Sequence, residues 1–123
     1  MRGDETLLLV EDDDEVLAII GSLLHEFGYT GLVARNGLQA LEMFRQNSAK
    51  IKLVILDAIM PLQSGWETFR AIQTEAPGIK ALFISGYMKE ALVEKGLIEE
   101  TSLFLSKPIA SLDLLSTVRE ELD

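Results

Sequence analysis

The stretch LVILDAIMP, Leu53 to Pro61, decides the fold. An apolar run of strand-forming residues ends in a single carboxylate, Asp57, and the chain then breaks at Pro61. A continuous apolar run, rather than an alternating one, suits a strand covered on both faces, as in a parallel sheet. A lone carboxylate at the end of such a strand is costly to bury. Asp57 therefore needs an ion pair, a hydrogen bond or a bound cation.

Similar runs stand at Thr6–Val10, Ala81–Ile84 and Leu103–Leu105, with a weaker one at Tyr29–Ala34. Helical periods fill the gaps between them. Val16, Ile20, Leu23 and Phe27 recur on one helical face after EDDD, with Gly28 as the stop. Asn36-Gly37 opens a second helix carrying Leu38, Leu41 and Phe44. Ser64-Gly65-Trp66-Glu67 fits a capping box and starts a third, with Phe69 and Ile72, ending before Pro77. Residues 88–96 form a short helix that ends near Gly96. Ser111 reads as the cap of the last helix, with Leu112, Leu115, Val118 and Leu122 on one face. Five strands alternating with five helices predict an α/β fold, a doubly wound parallel sheet of order 2-1-3-4-5. In that order the carboxyl ends of strands 1 and 3 adjoin, which brings Glu11-Asp12-Asp13 beside Asp57.

The bulk properties narrow the classes. The 123 residues make one domain, with 48% hydrophobic and 25% charged residues. Eleven basic against twenty acidic side chains give a net charge of −9, which argues against a basic footprint on nucleic acid or anionic lipid. Cysteine is absent, so disulfides and thiolate metal sites are excluded. No apolar run approaches the roughly 20 residues of a membrane span. The start MRGDET lacks the apolar core of a signal peptide, and a cytoplasmic location is expected.

Several carboxylates at one spot repel each other unless a cation intervenes. Hard oxygen ligands suit Mg²⁺, which takes only a few protein oxygens. Lys107, ending strand 5, offers a second cation, and Ser85, ending strand 4, a hydroxyl. Acids after a strand also cap the next helix, which is the expected job of Asp13 or Asp14. The lone His25 lies on the first helix, away from these strand ends.

The pieces LLLVEDD, LVILDAIMP followed by SG, ALFISGY and FLSKPI, in that order, resemble the receiver (response-regulator) domain of two-component phosphorelay signalling. The resemblance covers about residues 6–122 of one receiver domain and implies the flavodoxin-like receiver fold. FISGY with FLSKPI looks most like receivers attached to hybrid sensor histidine kinases. The resemblance implies that Asp57 is the phospho-acceptor. It makes Glu11 and Asp12, with Asp57 and the backbone carbonyl of Ile59, the holders of Mg²⁺, or of Mn²⁺ in its place. Ser85 and Lys107 would contact the phosphoryl group, Phe104 would be the switch aromatic, and Lys107–Pro108 a cis bond. Ile59 and Tyr87 would flank the approach of hydrolytic water, so slow self-dephosphorylation is expected. The implied partner is a histidine kinase or a histidine phosphotransfer domain, with no direct contact to nucleic acid and no membrane insertion; a weak or phosphorylation-dependent dimer stays open.

Two other readings compete. An unphosphorylated receiver-like scaffold would be expected to lack the Asp or the Lys, and both are present. A flavin-binding module would want a Ser/Thr/Gly-rich phosphate loop after strand 1, where this chain has consecutive acids. Two departures from the receiver pattern stand out: Gly86 where alanine is frequent, and Phe104 without a hydroxyl.

Overall fold

The computed structural model describes residues 2–123. Strands and helices alternate as β1 (Thr6–Val10), α1 (Asp14–Glu26), β2 (Thr30–Ala34), α2 (Gly37–Asn47), β3 (Ile51–Asp57), α3 (Gly65–Glu75), β4 (Lys80–Ser85), α4 (Lys89–Glu94), β5 (Phe104–Ser106) and α5 (Ser111–Leu122). The five strands form one parallel sheet in the order β2-β1-β3-β4-β5.

The strand period of two sorts each apolar run onto two faces. Leu8, Val10, Val54, Leu56 and Phe83 face α2 and α3, where they meet Ala40, Phe44, Phe69 and Ile72. Leu7, Leu9, Leu53, Ile55, Leu82 and Ile84 face α1 and α5, against Leu17, Ile20, Leu24, Leu114, Leu115 and Val118. With both faces apolar, a one-residue slip of β3 is not forbidden by its side-chain pattern. The polar residues near its ends set the register instead, because a slip would pull exposed Lys52 or Asp57 into the core.

Local chemistry starts and stops the helices near the expected places. Asp13 accepts the N–H groups of Glu15 and Val16 and so caps α1. Asn36 caps α2 through the Gln39 N–H. Ser64 and Glu67 form the reciprocal capping box of α3. Gly28 and Gly96 follow α1 and α4 with φ of 99° and 74°, a conformation that a Cβ disfavours.

Three helix expectations need correction. The fully buried residues of α1 are Leu17, Ile20 and Leu24, while Val16, Leu23 and Phe27 sit at the edge of that face. Leu38 and Leu112 are exposed, because α2 turns Gly37, Ala40 and Phe44 inward and α5 turns Leu114, Leu115 and Val118 inward. Ser111 is the first helical residue of α5 rather than its cap. Ala110 holds the extended cap position (φ −74°, ψ 131°) and has no side-chain oxygen to offer.

Candidate functional site

The register gathers the strand ends. Val10 pairs with Leu56 and Asp57 with Ile84, so Glu11 and Asp57 emerge side by side from β1 and β3. Ser85 pairs with Ser106 on β5, and the Lys107 N–H donates to the Ser85 carbonyl at 2.8 Å. Beyond it the Lys107–Pro108 peptide bond is cis.

The Lys107 ammonium bridges the two buried acids. Its Nζ donates to Glu11 Oε1 at 2.5 Å and to Asp57 Oδ2 at 3.1 Å. The other Asp57 oxygen, Oδ1, accepts the Ile59 N–H at 3.1 Å. Asp57 thus has both oxygens engaged, one by the chain's own turn and one by a lysine. Glu11 does not: its Oε2 is buried without a hydrogen-bond partner among the described residues. Such an atom forfeits its hydration for nothing in return. Burial, then the neighbouring Asp57 carboxylate, push the Glu11 carboxyl up to about 8 against the opposing pull of Lys107. For Lys107, burial pulls downward, but its bonds to Glu11 and Asp57 outweigh that and leave it raised.

Carboxylate oxygens of Glu11, Asp12 and Asp57 lie within 4.8 Å of one another. With the unpartnered Glu11 Oε2, they form a cluster compatible with a hard divalent cation, which would supply the missing partner and offset the repulsion. Asp12 is exposed, so the cluster opens to solvent on its side. Asp13, next in sequence, is occupied as the α1 cap.

Of the remaining expected residues, Ser85, Ile59 and Tyr87 stand near this cluster and Phe104 does not. The buried Ser85 hydroxyl accepts the Tyr87 N–H at 3.0 Å. Ile59 and Tyr87 stand exposed at the rim. Phe104, half-buried on β5, pairs with Phe83 in register and packs against the core on the α2–α3 face, away from the carboxylates. Two contacts escaped the sequence reading. Arg35, just after β2, pairs with Asp14 at the start of α1. Gly65, the first residue of α3, donates its N–H to the Ala58 carbonyl at 3.1 Å, next to Asp57. A glycine at a helix start, where other residues favour the helix more, was the available signal.

Comparison with known proteins bears on this site. A family model described as the response regulator receiver domain matches residues 7–119. The chain is 33% identical, over all of its length, to a sensor kinase CckA of Brucella abortus (strain 2308), and it spans 13% of that protein. It spans 27% of a transcriptional regulatory protein ZraR of Klebsiella oxytoca, at 34% identity over 99% of this chain. Among solved structures, the receiver domain of the hybrid histidine kinase CckA aligns at TM-score 0.75 and 33% identity, covering 96% of this chain and 99% of that one. The chemotaxis protein CheY4 of Vibrio cholerae aligns at TM-score 0.86 over 98% of this chain and 100% of its own; at 22% identity it speaks for the fold alone.

Proposed function

The chain belongs to the response regulator receiver domain family, and from that premise we propose that it accepts a phosphoryl group on Asp57 in a Mg²⁺-dependent reaction. The observation that carries the reading is the Asp57 carboxylate at the mouth of the sheet, oriented by Ile59 N–H and Lys107, beside a buried Glu11 oxygen that lacks a partner among the described residues.

The donor is a phosphohistidine on a partner histidine kinase or phosphotransfer protein. An Asp57 oxygen forms the new O–P bond, the P–N bond breaks, and its electron pair returns to the imidazole nitrogen. Glu11, Asp12, Asp57 and the Ile59 carbonyl are the holders of Mg²⁺, which when bound compensates the charge of the phosphoryl oxygens. Lys107 is suited to follow the transferred group, because an ammonium on a four-carbon stem can exchange its Glu11 bond for a phosphoryl oxygen. Ser85 offers a hydroxyl from the neighbouring strand end. Drawing it toward the phosphoryl group would strain its bond to Tyr87 N–H and open space for Phe104 to turn. The segment that would respond is lightly built: α4 has six residues and β5 three. The face formed by α4, β5 and α5 is the proposed output.

The domain works in the cytoplasm in this reading. Among the described residues, no helix is long and apolar enough to cross a membrane. Incubation with a small acyl phosphate or amidophosphate and Mg²⁺, followed by intact mass, tests the proposal. One added phosphoryl group, absent in Asp57→Asn and in chelator, is expected. No mass gain on the folded protein would leave the unphosphorylated scaffold as the better reading.

A further inference from the structure

Gly65 lies where the main chain of the acceptor passes. A Cβ built on it would sit 2.2 Å from the Asp57 carbonyl oxygen, 3.0 Å from the Asp57 carbonyl carbon and 3.1 Å from Ala58 Cα. All three are backbone atoms, so no side-chain rotation relieves the clash. The crowding at Gly37 differs, because its nearest neighbours are the side-chain ends of Gln63 and Thr68. Gly86, on the other flank of the site, has nothing within 4 Å of such a Cβ.

The geometry points to Gly65 as a positioning residue for phosphoryl transfer: it lets the first turn of α3 press directly on the Asp57–Ala58 peptide and so sets where the carboxylate points. This inference rests on the proposed role of Asp57. The Ala58 backbone is held on both sides of its Cα, through its own N–H and its own carbonyl. The Ala58 N–H donates to the Ile84 carbonyl of β4 at 2.8 Å, and the Ala58 carbonyl accepts the Gly65 N–H at 3.1 Å.

The start of α3 is held in its turn. Ser64 and Glu67 close the capping box. The buried Thr68 hydroxyl donates to the Ser64 carbonyl at 3.0 Å. Trp66, next to Gly65, packs on Phe83 of β4 with ring centroids 5.9 Å apart. A methyl group at position 65 pushes directly against the backbone of Asp57 and Ala58, at the head of the segment that runs to Ile59. That segment carries both the carboxylate and the Ile59 N–H that fixes Asp57 Oδ1. Relieving a 2.2 Å approach takes a shift on the order of 1 Å, and misplacement of that size can cost about a hundredfold in rate.

The test compares Gly65→Ala with Gly86→Ala, both phosphorylated by a small phosphoryl donor at saturating Mg²⁺ and followed by intact mass. Gly65→Ala should keep its circular dichroism yet lose about tenfold to a hundredfold in maximal rate, with the half-saturating donor concentration little changed. The amide resonance of Ile59 should move in the same variant. Gly86→Ala should match wild type in both respects. A folded Gly65→Ala at wild-type rate overturns the inference. Should that variant fail to fold, Thr68→Val loosens the same turn without crowding it; a slower rate is expected there, and an unchanged one overturns the inference. If the wild type takes up no phosphoryl group, the proposed function fails. The positioning role is then judged from the Ile59 amide alone: a moved resonance in Gly65→Ala supports it, an unmoved one overturns it.

Discussion

Two ends of this molecule carry the same charge motif, one cation between two carboxylates, and use it in opposite ways. At the carboxyl end of the sheet Lys107 bridges Glu11 and Asp57; elsewhere Arg119 of α5 bridges Glu5 and Asp123. The cations are equally exposed, each side chain at 23%, so the difference lies in the acids: 2% and 10% beside Lys107, against 23% and 69% beside Arg119. The guanidinium also reaches the Arg2 carbonyl and the Tyr29 hydroxyl, tying the start of the chain to its last helix. Its rigid fork is well used there, and its carboxylate partners remain near water. At the site, a single ammonium serves two buried acids and leaves the Glu11 Oε2 atom unmet among the described residues. A buried, under-satisfied acid is a poor way to stabilise a fold, and it suits a place that waits for a ligand.

The largest effect should come from removing the ammonium. Lys107→Ala is expected to lose roughly a hundredfold in phosphorylation rate, as loss of one transition-state donor does elsewhere. It should still bind Mg²⁺ in calorimetry, since the lysine is no metal ligand. Arg119→Ala, tested in parallel, should phosphorylate at the wild-type rate. Equal losses in the two variants would erase the functional contrast between the hubs.

The next effect is on stability, and its sign differs between the two ends. The folded-state value of Glu11, about 8, lies above its ordinary 4.5, so in metal-free protein the folded state holds a proton that the unfolded chain has released. Stability should therefore fall as pH rises between those values, by up to a few kcal/mol. Glu5 behaves oppositely. Its bond to Arg119 outweighs burial and lowers its carboxyl, so its contribution is present above its unfolded value and lost as pH falls through the folded one. Thermal melts in chelator should show a decline toward pH 8 that disappears in Glu11→Gln, with the acid-side loss retained. A wild-type profile with no alkaline decline would count against a protonated Glu11.

A smaller effect sharpens the picture of the site's mouth. Ile59 and Tyr87 are exposed there but offer no carboxylate or amide to orient an attacking water. Ile59→Asn with Tyr87→Glu should speed acyl-phosphate decay by about tenfold, near 1.4 kcal/mol of barrier. Decay after donor removal measures it; a wild-type rate already as fast would show that water access is not limiting. The smallest effect belongs to the other hub. Arg119→Lys keeps the charge and loses the fork, and should lower the melting temperature by a few degrees, with no dependence on Mg²⁺. A Mg²⁺-dependent shift in that variant would mean that the two ends are coupled.

Much of this was legible in the residues. Unbroken apolar runs predicted a parallel sheet, and the alternation of elements predicted the strand order. That order alone carries Glu11 and Asp57 to adjacent strand ends. The acidic cluster could be read in this way because the cost of burying charge is local and leaves Asp57 at the end of its apolar run. The helix faces were less legible. Leu17 and Leu24 each neighbour another apolar residue, Val16 and Leu23, and periodicity cannot choose between adjacent candidates. Leu38 and Leu112 read as core because they are apolar, yet helix rotation against the sheet turned them to solvent.

The sequence by itself thus determined the strands, their order and the chemical groups at their ends, all of which follow from local polarity and chain connectivity. Only the tertiary structure decided that Lys107 divides its protons between Glu11 and Asp57, that a Glu11 oxygen goes without a partner among the described residues, and that Gly65 lies against the backbone of Asp57. Lys107 and Glu11 are 96 residues apart in the chain, and their 2.5 Å contact depends on how every intervening strand and helix packs. No local pattern encodes a distance of that kind, because it is the sum of all the packing between.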